Sequence, residues 1–136
     1  MEIFLAFHTV TAELLRAVGI ISWANTYEVN WPTHFDKKWI PFAPSAQAAC
    51  RALKESPAYS VGENAWVLKV IIPVDTWQQW ESDELVVKNR GYLRDGDSHT
   101  DREGHFIYGR VKRDQADPVF QFGTYDHEWD QYAIPP

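Results

Sequence analysis

The stretch "EIFLAFHTVTAELLRAVGII", residues 2 to 21, sets an imidazole, His8, where an apolar run ends and a helical pattern begins. An imidazole there can donate or accept a hydrogen bond at the rim of a sheet, or serve as an ordinary bonded structural residue. A second chemistry-bearing stretch is "DGDSHTDREGH", Asp95 to His105, where oxygen and imidazole donors alternate. A helix-loop-helix calcium loop needs Gly at its sixth position and Glu at its twelfth. Counted from Asp95 those places hold Thr100 and Phe106, and His99 and His105 stand six apart, which is no helical zinc spacing. The stretch reads as a solvated loop, and no metal site is assigned. Arg90, Arg94, Arg102, Arg110, Lys112 and Arg113 form a local basic stretch able to contact phosphates. Asp95, Asp97, Asp101 and Glu103 offset it, and the bland reading is a solvated face.

Other chemistries lose their usual support. No G-x-S-x-G, P-loop, G-x-G-x-x-G or His-Glu-x-x-His pattern occurs. The single cysteine, Cys50, rules out an internal disulfide and a cysteine-based zinc site, and within "AQAACRAL" it reads as a small buried residue. The tail, "GTYDHEWDQYAIPP", mixes Asp126, Glu128 and Asp130 with Tyr125, Trp129 and Tyr132. It is expected to pack across the sheet, with docking on a partner as the alternative.

Behind these residues must stand a fold. The length of 136 residues suits a single domain spanning 1–136. Hydrophobic residues at 45% and charged residues at 24% allow a real core. Seven Trp raise the aromatic content, which serves cores and interfaces alike. The formal charge of −6 argues against a general nucleic-acid binder. No apolar run has the length of a membrane span and the start lacks a signal-peptide pattern, so a cytoplasmic protein with no membrane role is expected.

Alternation at Ile3, Leu5 and Phe7 predicts a strand over 2–8. Thr11 is expected to cap the helix "AELLRAV", with Leu14, Leu15 and Val18 on one side and Gly19 as its stop. "IISW" and "WIPFA" read as short extended pieces around a long loop, 24–37. "PSAQAACRALKE" is the best helix, opened by Pro44 and Ser45. "AWVLKVIIP", 65–73, is the best strand, apolar enough to lie centrally with both faces covered. Asp75 or Thr76 is expected to cap the short helix "WQQWES". "ELVVK", "HFIYGRVKR" and "PVFQF" read as further strands, and 89–104 as loop. The order β-α-β-loop-α-β-α-β-β-β predicts an α+β fold: one domain with a mixed, mostly antiparallel sheet and two or three short helices.

The opening resembles ADP-ribosyltransferase-like folds, of the RNA 2′-phosphotransferase and DNA ADP-ribosyltransferase toxin type. The matching residues are Phe7, His8, Leu14, Leu15, Gly19, Ile20 and Ile21. "FAPSAQAACRAL" and "AWVLKVIIPVD" are similar to the blocks that follow in those families, so the likeness covers about residues 3–75. The resemblance implies NAD as cofactor and a protein or nucleic-acid substrate. It implies that His8 bonds a ribose hydroxyl of the nicotinamide nucleotide, with Tyr27 and Trp31 stacking on the nicotinamide ring. Thr9, Ser45 and Arg90 join as cofactor contacts, Arg90 toward phosphate. Glu84 and Glu103 are the candidate catalytic carboxylates beside His8, able to stabilise a cation-like sugar as nicotinamide leaves. The alternative is a non-enzymatic interaction protein, of the phage or mobile-element inhibitor kind, that binds a partner through its aromatic, acidic surface.

Overall fold

In the computed structural model of the chain, residues 1–22, 40–54, 64–83, 85–88, 106–108 and 119–133 are described. The fold is α+β, as the element order predicts, with three helices and an antiparallel three-stranded sheet. That sheet has the order β1-β4-β8, built from β1 (Glu2–His8), β4 (Asn64–Ile71) and β8 (Asp126–Ala133). Two smaller antiparallel sheets pair β2 (Ile21–Ser22) with β7 (Val119–Phe120), and order β3 (Ile40–Phe42), β6 (Phe106–Tyr108) and β5 (Val86–Lys88).

The apolar run of β4 makes it central, and both of its faces are buried. Its register runs from Glu2↔Ile71 to His8↔Ala65 on one side, and from Asn64↔Ala133 to Ile71↔Asp126 on the other. Strand alternation then divides the side chains between two cores. One face carries Ile3, Leu5, Phe7, Leu68 and Val70 into the larger core, with Ile21, Ile40, Trp77, Trp80, Phe120 and Phe122. The other carries Ala6, Ala65 and Val67 against Ala48, Ala49 and Leu53 of the alanine-rich helix. Small residues on both partners let that helix approach the sheet closely.

The first helix, α1 (Thr9–Val18), starts three residues earlier than expected. Its N-cap is His8, with extended backbone (φ −64°, ψ 155°) and no side-chain capping bond, so Thr11 lies inside the first turn and is not the cap. Its buried residues are Ala12 and Leu15, whereas Leu14 (58%) and Val18 (56%) are exposed. The core takes α1 by Ala12 and Leu15, and Val10, Leu14 and Val18 recur every fourth position along the outer side. Gly19 closes α1 as expected: its φ of 71° is left-handed, and its N–H donates to the Leu15 carbonyl.

The second helix, α2, spans Ala46–Lys54, opened by Ser45 as predicted. The third, α3 (Val74–Ser82), has Pro73 as its N-cap, so Asp75 and Thr76 lie within its first turn rather than capping it. Trp77 and Trp80 are its buried residues. The tail departs most from expectation. It does not cross the sheet; it joins it, and β8 forms an edge strand along β4.

Candidate functional site

His8 ends β1 and immediately precedes α1. It is half-buried, and its Nε2 atom is buried. In register it lies beside Ala65, which in turn pairs with Tyr132, so His8, Ala65 and Tyr132 form one row across the sheet. Thr9, the first residue of α1, is exposed. Ser45 has a defined job elsewhere: its Oγ accepts the Ala48 N–H at 3.1 Å, satisfying an amide that the first helical turn leaves open. The chain enters α2 just after Ala43, which bridges Phe4. Four strand residues, roughly 13 Å, separate Phe4 from His8. Ser45 and His8 are therefore not brought together. Tyr27, Trp31, Glu84, Arg90 and Glu103 lie outside the described residues, as do the donor-rich stretch 95–105 and the basic residues 90–113 apart from β6. Among the described residues, no cluster of three or more His, Cys, Asp or Glu is placed to hold a metal ion.

Cys50 is half-buried against the smaller core, and burial pushes its thiol up to about 11. Desolvation penalises the thiolate, the form that would attack or bind metal, so Cys50 behaves as the small packing residue its neighbours suggest.

The groups the structure does assemble lie on and around β8. Its odd positions, His127, Trp129 and Gln131, face the larger core, where Trp129 packs against it. The Trp129 ring is 6.1 Å from that of Phe7 and 5.9 Å from that of Phe122. His127 meets the Phe122 ring edge-on at 5.2 Å, and its Nδ1 lies 2.8 Å from the Tyr125 carbonyl. Arg16 of α1 lays its guanidinium 4.7 Å from the Trp66 ring and 5.9 Å from that of Trp129, tying the helix to the sheet by cation–π attraction.

The even positions, Asp126, Glu128, Asp130 and Tyr132, point to the opposite face. There α2 packs on β1 and β4. The acids of β8 lie beyond it and are exposed. Lys69 of β4 bridges two strands, its Nζ 3.3 Å from Glu2 Oε1 and 3.4 Å from Glu128 Oε1. The bond to Glu2, then the one to Glu128, holds the Lys69 ammonium above its ordinary range. Asp126 and Asp130 make no ion pair among the described residues. A ladder of carboxylates, spaced about 7 Å apart by the two-residue repeat, thus runs along a strand that among the described residues is paired on one side only.

Sequence reading named these acids but not the strand that aligns them. The signal was present: carboxylates at every second position, alternating with His127, Trp129 and Gln131, is a period of two. Arg16, Trp66 and Lys69 gave no such signal, because their partners come from distant parts of the chain. Compared with known proteins, the chain matches no family model, no curated protein and no solved structure.

No helix among the described residues is long and apolar enough to cross a membrane.

Proposed function

We propose that the chain is an interaction protein that engages a protein partner along β8. The single observation behind this is that an eight-residue edge strand is exposed at every position except Trp129, with its acids on one face. An edge strand offers unpaired backbone groups, and proteins normally shorten, cover or charge such edges to keep other chains away. Here the strand is full length and the charges are all of one sign on one face, which repels most partners while favouring a basic one.

The test compares wild type with D126N/E128Q/D130N. Each is immobilised after circular dichroism has established equal folding, and bound proteins from a lysate are identified. A specific partner is then purified and titrated by calorimetry. The proposal predicts saturable binding that weakens at least about tenfold in the variant and falls with salt, as exposed charge pairing must. Equal binding by both proteins contradicts it.

The competing reading is the NAD-using, ADP-ribosyltransferase-like enzyme implied by the resemblance of the opening, and it rests on His8 at the end of β1. Saturable thermal stabilisation by NAD, lost in His8→Ala, would favour that reading instead.

A further inference from the structure

We infer that β8 takes its partner by strand addition, and that the partner segment is extended and carries Lys or Arg at every second position. This rests on the proposal that β8 is a partner-binding strand, and specifies how it binds and what. The argument has three parts.

First, β8 is paired with β4 along its whole length, from Asp126 to Ala133, and among the described residues is the terminal strand of its sheet. In an antiparallel strand, residues alternate between directing their N–H and C=O toward one neighbour and toward the other side. About four residues of β8 therefore aim both groups away from β4. An added strand would satisfy these groups in continuous register.

Second, an added strand inherits the pleat of its neighbour. Its alternate side chains fall beside Asp126, Glu128 and Asp130 at their own spacing of about 7 Å. Opposite charges there attract across the pair, and a contiguous run of lysines cannot match the spacing. Lys69 already shows the pairing from the inner side, bonding Glu128 from the adjacent strand. The intervening side chains of the added strand would fall on the other face, next to His127, Trp129 and Gln131, where apolar residues suit the exposed flank of Trp129.

Third, the same acids disfavour a second copy of this chain. Two β8 strands paired antiparallel would set carboxylates beside carboxylates on one face, a destabilising arrangement. The occupant is therefore a basic segment of another protein.

The experiment titrates the intact protein with capped octapeptides, followed by calorimetry and by NMR of the backbone amides. The first peptide is threonine-lysine-valine-lysine-valine-lysine-valine-threonine. The second has the same composition with its three lysines contiguous. Two further versions of the first are N-methylated on one or the other alternate set of residues. The expected result is binding of the first peptide at least about tenfold tighter than the second, with amide shifts along β8. One N-methylated set abolishes binding and the other leaves it nearly unchanged, and D126N/E128Q/D130N weakens it about tenfold. Equal binding of both lysine arrangements, or indifference to both N-methylations, overturns strand addition while leaving an acidic docking face intact. Absence of binding by every peptide overturns the inference, as does a concentration-dependent dimer with NMR shifts along β8. Failure of the broader proposal reads out separately, as partner capture that survives neutralisation of the three acids.

Discussion

The backbone N–H of Gly123 donates to the carbonyl of Gly19 at 3.0 Å, locking the end of α1 against the short 3-10 helix Phe122–Thr124 that leads into β8. A Cβ on Gly123 would meet the Gly19 Cα and O at 3.3 Å, both backbone atoms with little freedom to move. Gly19 itself sits at φ 71°, where a side chain is strained. Gly19→Ala should cost about 1–2 kcal/mol, and Gly123→Ala about 1–3 kcal/mol through overpacking. Urea unfolding of both variants checks this; an unchanged midpoint for Gly123→Ala would contradict the close approach.

Neighbouring leucines in α1 should behave oppositely. Leu15 is fully buried and Leu14 is 58% exposed. Leu15→Ala removes a packed side chain and should cost about 2–5 kcal/mol. Leu14→Lys should stay within about 0.5 kcal/mol, as surface changes usually do. Thermal unfolding of the two variants separates them, and a large loss in Leu14→Lys would mean that α1 packs by its other face.

Ser45 is a helix cap, so its substitution should register in stability rather than in nucleotide binding. Ser45→Ala removes the bond to the Ala48 N–H and should cost about 1 kcal/mol, and Ser45→Asp should restore most of it. Chemical denaturation monitored by helical circular dichroism gives both values. No loss in Ser45→Ala would remove the capping role.

Cys50 sets a pH dependence whose sign is fixed by burial. Its thiol titrates near 11 when folded, against about 8.5 in an unfolded chain. Below about pH 8.5 the thiol is neutral in both states and its contribution is whole. As pH rises toward 11 the unfolded chain releases its proton first, so stability falls. Cys50→Ala should lose less stability than wild type between those limits. Alkylation at pH 8 should run at least about tenfold slower in the folded protein than in urea, because so little thiolate exists. Equal rates would show an accessible thiol.

The fold was legible where local pattern and burial agree. The alternation of Ile3, Leu5 and Phe7 marked β1, and the run from Ala65, apolar nearly throughout, marked a central strand covered on both faces. Gly19 and Ser45 marked helix ends through backbone and capping chemistry that need no tertiary partner. Caps without side-chain bonds were not legible: His8 and Pro73 begin α1 and α3 through backbone geometry alone. Nor was the buried face of α1, because Val10, Leu14 and Val18 present a credible apolar stripe that the fold leaves outside. The acids and aromatics of the tail pointed to packing across the sheet, with partner docking as the alternative. The alignment of the acids as a ladder depends on β8 pairing with β4, across some sixty intervening residues. That pairing is long-range, and only the period of two hinted at it.

Amide hydrogen exchange along β8 in the free protein tests the central claim most directly. An open edge paired on one side predicts alternation: every second N–H from Asp126 to Ala133 is protected by β4, and those between exchange at rates close to an unstructured chain. Uniform slow exchange across all eight residues would mean that the outer edge is already covered, and would contradict a strand waiting for a partner.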